Sequence, residues 1–516
     1  MGRCCLRRSI PGLLSLVFSL PFASPAQAAW QEARSKHFII YADERPDELL
    51  AYARKLERFD QAVRTVRKMK DPELTDAERL TIYVLPTTGA IASLAGGGSV
   101  AGFYLPRVRG STAFVPRLAG VKGDDFDLDP DSIFFHEYSH HLQLQSADVA
   151  VPPWVTEGFA EFFAKTELRD DGTVVIGLPP TYRAWSLFEY NSLSITRMVS
   201  ADTDLSATDE EGVYSRGWLL LHYLTFNPAR RGQLDSYLSA IQQGVPPLTA
   251  AQRAFGDLVA LSNELGGYLR QKSLPTIVMR GLAVPTATIA IRALSPGEAD
   301  MMRVHIRSEA APNHRQAMDI AADARKIAEQ YPSDPFVQTS LAQAEFDAKN
   351  YAAAEAAADK ALALEPTRLK ALLYKGKAEM ELAHPKGGAA DWSGIRQWFL
   401  KANKVDPEAA EPLMLFYKSF VYAGETPSKN AVSALFYSLT LVPQDSRVRL
   451  MAVDQLLSDG DLPGAKRYFA AFAFEPHGRR DVRTAAASAM AAISSGQRDE
   501  AVKDLAQIEK LMDKDD

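Results

Sequence analysis

Beyond residue 295 the chain is punctuated by prolines that follow helical stretches: Pro332, Pro366, Pro407, Pro443 and Pro476. The intervals are 34, 41, 36 and 33 residues. A period of this length marks a unit that cannot bury its own apolar face and must stack on its neighbours. This half of the chain is therefore expected to be an elongated array of helix pairs. The clearest copy runs from Asn350-Tyr351-Ala352-Ala353-Ala354 through Ala361 to Pro366. Its alanines matter because adjoining helices approach closely only where side chains are small. Gly460 to Pro476 is a shorter copy, and Gly496 to Ala501 reads as the turn of a last one. The 41-residue interval around Trp392 and Trp398 departs from the pattern.

Tyr351, Ala354, Ala361 and Pro366 resemble the tetratricopeptide (TPR) pattern position by position. The resemblance implies an all-α TPR-like solenoid over residues 295–516, with a concave surface suited to a substrate or protein partner. With 516 residues in all, about three domains are expected.

The N-terminus reads as an export signal. Arg3, Arg7 and Arg8 precede an apolar stretch from Ile10 to about Phe22, and Ala26-Gln27-Ala28 supplies a small-x-small cleavage pattern. The apolar stretch is short for a membrane anchor. Residues 1–28 are taken as a signal peptide and the mature protein as periplasmic or secreted, with no integral membrane segment left. Both cysteines, Cys4 and Cys5, lie in this signal, so neither a disulfide nor a thiol is expected in the mature chain. Losing three arginines and no acid takes the formal charge from −6 to −9. That balance points to neither nucleic acid nor an anionic membrane as partner.

Residues 29–123 alternate strand and helix. Lys36 to Ala42, Leu80 to Leu85, Val100 to Leu105 and Ser111 to Val115 have strand character, and Leu49 to Val66 carries helical spacing. A small α/β layer follows from this order. Residues 124–273 read as mainly helical, with one hairpin turning at Asp171-Gly172. Residues 274–294 read as a connector, with a strand-like stretch at Thr286 to Leu294, that packs on one of its neighbours.

The chemistry lies in the helical part. In Asp129-Pro130-Asp131-Ser132-Ile133-Phe134-Phe135-His136-Glu137-Tyr138-Ser139-His140-His141, Asp129 can cap a helix and Pro130 suits its first turn. Ile133, Phe134 and Leu144 supply an apolar face for packing. His136 and His140, four apart, leave one face of that helix one turn apart, a separation that suits two ligands of one tetrahedral zinc. Glu137, one residue round, can sit beside the open coordination position as a general base without being a ligand. His141 points elsewhere and is read as a supporting or packing residue.

A third ligand must come from another segment. Downstream lies Pro152-Pro153-Trp154-Val155-Thr156-Glu157-Gly158-Phe159-Ala160-Glu161. Here the chain resembles the gluzincin, peptidase MA-like zinc metallopeptidases, in which a second helix supplies a glutamate to the metal, often within an E-G-x-A stretch. Glu157-Gly158-Phe159-Ala160 matches that stretch. Sixteen residues separate His140 from Glu157, two fewer than is typical of the aminopeptidases of that group. The resemblance implies an α+β zincin-like metallopeptidase domain, one Zn2+ per chain on His136, His140 and Glu157, and hydrolysis of a peptide or protein substrate. Glu161, four residues on and on the same side, is the rival ligand or an acceptor that orients a ligand histidine.

The same resemblance implies an oxyanion donor on a later helix. Tyr214, in the stretch Tyr214 to Leu224, is the candidate, with Tyr182, Tyr190 and His222 as alternatives. Arg216 could meet a substrate carboxylate, and a strand between Val100 and Val115 could pair with an extended substrate. No aminopeptidase substrate motif precedes His136, which favours an endopeptidase or a specialised substrate. The alternative reading is a TPR-based interaction scaffold carrying an inactive or structural zinc domain.

Overall fold

The structure is a computed structural model. It describes residues 30–97, 100–117, 129–145, 151–188, 193–201, 205–282, 289–474 and 479–512. Residues 1–28, expected to be an export signal, with Cys4 and Cys5, and also Gly98, Ser99, Tyr190, Pro285 and Pro476 lie outside the described residues, as does the side chain of Leu144.

The N-terminal part comprises β1 (Trp30–Arg34), β2 (Phe38–Asp43), α1 (Pro46–Arg67), β3 (Leu80–Leu85), α2 (Thr88–Leu94), β4 (Phe103–Leu105) and β5 (Thr112–Pro116). It is followed by α3 (Pro130–Gln145), α4 (Pro153–Ala164), β6 (Glu167–Leu168), β7 (Val174–Ile176), α5 (Ala184–Phe188), α6 (Ile195–Val199), α7 (Ala207–Phe226), α8 (Gln233–Gln242), α9 (Pro247–Phe255), α10 (Leu258–Leu269), β8 (Ile277–Met279) and β9 (Ala290–Ala293).

Six strands form one sheet in the order β4-β5-β3-β2-β1-β9. β2, β3 and β5 run parallel, while β4, β1 and β9 are antiparallel to their neighbours. Strand parity decides what each face meets. Phe38, Ile40 and Ala42 face α1 and α3, and the Phe38 ring lies 4.9 Å from Tyr138 and 6.1 Å from Phe134 of α3. On the other face Tyr41, Tyr83, Phe114 and Phe103 form an aromatic row across four strands, with successive centroids 5.4, 5.5 and 4.6 Å apart. That row packs against Met302 and Ile306. Covering on both faces explains why Leu80-Thr81-Ile82-Tyr83-Val84-Leu85 is apolar almost throughout.

The connector is more than a spacer. β9 pairs with β1 at the end of the large sheet, and β8 pairs with β7 in a second sheet of order β6-β7-β8. The segment therefore joins both sheets, where packing on one neighbour was expected. A single apolar core runs from Ala33 and Phe38 through Phe134 and Trp154 to Leu265 and Tyr268.

The C-terminal part is a TPR-like helical array. Its helices are α11 (Pro296–Glu309), α12 (His314–Gln330), α13 (Pro335–Asp347), α14 (Tyr351–Leu364), α15 (Leu369–Ala383), α16 (Trp392–Val405), α17 (Ala410–Ala423), α18 (Lys429–Leu441), α19 (Ser446–Ser458), α20 (Leu462–Ala473), α21 (Arg480–Ser494) and α22 (Arg498–Met512). Pro332, Pro366, Pro407 and Pro443 each fall just after the second helix of a pair. Ala354, Ala357, Ala358 and Ala361 of α14 are buried at the helix contacts. The long interval is accounted for by a 3-10 segment, His384–Ala389, between α15 and α16.

Candidate metal centre

α3 begins as its residues dictate. The Asp129 carboxylate accepts from Ser132 N at 2.8 Å and from Ser132 Oγ at 2.7 Å, closing the first turn. Asp131 pairs with Lys55 of α1 at 2.7 Å. Tyr138, buried on the opposite side from the paired imidazoles, donates to Asp60 of α1 at 2.6 Å. These contacts fix the roll of α3 and hence the direction in which His136 and His140 leave it.

α4 starts at Pro153, where a missing N–H costs nothing. Its approach to α7 is set by two glycines: a Cβ on Gly158 would meet the Gly217 carbonyl oxygen at 2.5 Å, and one on Gly217 would meet the Trp154 carbonyl oxygen at 2.6 Å. The Glu157 and Glu161 side chains are buried between α3 and α7 as a result.

The structure brings His136, His140 and Glu157 together. The two Nε2 atoms are 3.1 Å apart, and Glu157 Oε2 is 3.5 Å from each. A tetrahedral zinc with bonds of about 2.0–2.2 Å holds its ligand atoms roughly 3.3 Å apart, so this triangle and its two-imidazole, one-carboxylate chemistry fit that cation. The local field fits it as well. Burial opposes charge on the His136 ring, but the bond to Glu157 and the charges of Glu161, Glu137 and Glu157 more than offset it, and its pKa is raised.

Glu161 has a different place. Its Oε1 is 3.4 Å from Nδ1 of His136, the ring nitrogen that faces away from Glu157. It also accepts from the Tyr182 hydroxyl at 2.6 Å and from Arg183 Nε and a terminal nitrogen at 3.1 and 2.9 Å. Arg183 uses its other terminal nitrogen on both oxygens of Glu211, each at 2.8 Å. Its guanidinium lies 4.6 Å from the Tyr214 ring centroid, and that ring is 5.9 Å from the ring of His136. Burial raises the Tyr214 pKa far above the phenol range; Glu157 adds to the rise, Arg183 opposes it, and Glu137 and Glu161 add further. The phenol stays protonated and can donate. Glu137 is half-buried, and its charge reaches both His136 and Tyr214.

The remaining candidates lie elsewhere. His222 is buried between the Tyr268 hydroxyl at 2.8 Å and the Gly177 carbonyl at 3.0 Å. Arg216 donates to the Leu193 carbonyl. Tyr182 serves Glu161. His141 stacks on Tyr138 with centroids 5.5 Å apart and bonds the Tyr104 hydroxyl through Nδ1 at 3.0 Å. Burial, with the charges of Arg64 and His37, pushes its pKa down to about 3, so the ring is neutral.

Arg183 is the residue that sequence reasoning missed. The signal was indirect: a second buried carboxylate one turn from Glu157 demands a cation, and Arg183 is the cation beside it. A second group of donors, His37, Asp60 and Asp71, also lies within one cation's span. Its atoms are engaged by Glu57, Arg64, Tyr138 and Lys36, which makes it an ion-pair network that anchors α1 and α3.

No protein-family model and no curated protein matches this sequence. Among solved structures, the chain is similar to PilF from Pseudomonas aeruginosa, at 18% identity and a TM-score of 0.32, over 42% of this chain and 94% of that one. It is also similar to a MamA RS-1 ArsTM double mutant, at 13% identity and a TM-score of 0.27, over 35% of this chain and 96% of that one.

Proposed function

We propose that the chain is an exported zinc-dependent peptidase of the gluzincin type, with one Zn2+ held by His136, His140 and Glu157. The observation that carries the reading is the triangle of donor atoms with sides of 3.1, 3.5 and 3.5 Å, formed by residues from two helices. When bound, the cation supplies Lewis acidity that activates a water and polarises a carbonyl. Glu137 takes the proton from the attacking water and passes it to the leaving amine, a role that commonly contributes about 10²–10⁴-fold. Tyr214 holds its proton and donates toward the developing oxyanion. Glu161 orients His136 through Nδ1, and Arg183 pairs with that carboxylate while lying over Tyr214. Export rests on the character of residues 1–28.

A second reading is an interaction scaffold whose metal domain is inert. What favours it is the TPR-like array itself, a fold suited to holding a protein partner. The two readings separate on one variant. Glu137→Gln of the full chain is expected to keep one zinc and to lose hydrolysis of a peptide library by at least a hundredfold, whereas His136→Ala and His140→Ala lose the metal. Identical hydrolysis by wild type and Glu137→Gln removes the enzymatic reading.

A further inference from the structure

The β4–β5 hairpin has two ends, and each is gripped by a different part of the molecule. At its base, β4 lies against the metal helix. Gly102 is so close to Ile133 of α3 that a Cβ would overlap the isoleucine side chain. Two residues further, the Tyr104 hydroxyl bonds Nδ1 of His141, the neighbour of His140.

At its tip, the hairpin enters the inner face of the helical array. Arg107 donates to the Glu309 carbonyl at 2.8 Å. Arg109 lies 3.4 Å from the Glu309 carboxylate and 3.5 Å from both the Tyr374 hydroxyl and the Ser308 carbonyl. The backbone N–H of Val108 donates to Asp445 at 2.6 Å. Gln444 Nε2 donates to Ser111 Oγ at 3.1 Å, and the Tyr104 hydroxyl donates to that same oxygen at 3.0 Å. The first, third and fifth helix pairs thus converge on a stretch of five residues. The strongest grips come from Glu309 and Asp445, both buried.

We propose that the hairpin tip is a built-in ligand of the repeat array, and that Gln444, acting through Ser111 and Tyr104, is a positioning residue for His141 and the metal helix. The array then serves the site by fixing the edge strand beside it. Its inner face, the expected seat of an external substrate or partner, already holds an arginine-bearing turn of the same chain. Coupling of this kind needs a contiguous path of packed and hydrogen-bonded groups. The path from Gln444 to His141 has three links, each within 3.1 Å.

The test uses full-length Gln444→Leu, which removes one of these hydrogen bonds, and Tyr104→Phe, which removes two, each at nearly constant volume, and the double variant. Amide hydrogen exchange is followed at residues 103–105 and 139–142, together with zinc retention against a chelator. Exchange is expected to rise at both segments in Gln444→Leu, although residue 444 belongs to the array. The double variant is expected to match the single ones, because the two groups act along one path. Zinc retention is expected to fall about tenfold, in the range found for groups that support ligands. Unchanged exchange at 139–142 in Gln444→Leu, or fully additive effects, overturns the proposal. Should Gln444→Leu not fold, unchanged exchange at 139–142 in Tyr104→Phe overturns it equally. The zinc readout rests on the metal-site reading. Absence of zinc from the wild type defeats that reading and leaves exchange to decide this one.

Discussion

Gly158 of α4 and Gly217 of α7 meet backbone to backbone, so closely that neither position has room for a methyl group. The contact sets the distance from the Glu157 carboxylate on one helix to the Tyr214 phenol on the other. Gly158→Ala and Gly217→Ala are each expected to lower unfolding free energy by about 1–3 kcal/mol, the usual range for overpacking. Both should also weaken zinc retention. Chemical denaturation and metal analysis check the pair, and wild-type values in both would show that α4 and α7 can part freely.

The two glutamates of α4 should separate in a metal titration. Glu157→Gln is expected to abolish stoichiometric zinc binding, since its oxygen completes the donor triangle. Glu161→Gln is expected to retain zinc with about 10–100-fold lower affinity, because it contacts only the far nitrogen of His136. The reverse order would exchange the two roles.

Arg183 neutralises Glu161 and Glu211 and covers the Tyr214 ring. Removing it leaves the fully buried Glu161 without its cation. Arg183→Ala is expected to destabilise the fold by about 3–5 kcal/mol, as when one partner of a buried pair is removed. Tyr214→Phe, by contrast, should leave stability and zinc content unchanged while lowering kcat by about 10²–10³-fold. An unchanged kcat would remove Tyr214 from the chemistry.

The His37 network sets a pH window for stability. Burial opposes charge on His37, but hydrogen bonding to Glu57 and the charges of Asp60 and Glu57 raise its pKa above the ordinary 6.5. Its contribution is present below pH 6.5 and is lost as pH rises through the folded-state value. Burial likewise opposes charge on Glu57, but the bond to His37 lowers its pKa below 4.5, so its contribution is present above that value and lost on acidification. The pair is at full strength between 4.5 and 6.5. Thermal unfolding is expected to shift to lower temperature as pH rises above 6.5 through the folded-state value of His37, with a flatter profile in His37→Gln. Matching profiles for the two proteins would exclude His37 as the source.

Local signals carried much of this structure in advance. Asp129 and Pro130 mark the start of α3, the four-residue spacing places His136 and His140 on one face, and the prolines mark the ends of helix pairs. What stayed hidden was the pairing of distant segments. β1 reads Trp30-Gln31-Glu32-Ala33-Arg34, with no apolar alternation, because its buried Glu32 is satisfied by Arg34 and by Arg292 of β9, 260 residues away. The aromatic row of Tyr41, Tyr83 and Phe114 shows apolar character but not what covers it, and the cover comes from α11. Arg183 escaped notice because its importance depends on where two carboxylates and a phenol meet in space.

β9 closes the large sheet only after some 290 residues have been made, and the first array helix starts three residues beyond it. A shortened chain ending at Ser273, the boundary that composition suggests, would omit both β8 and β9 and bare the backbone of Trp30–Arg34. Unpaired edges of that kind recruit other chains, so such a fragment is expected to associate and precipitate rather than to behave as a minimal folded unit.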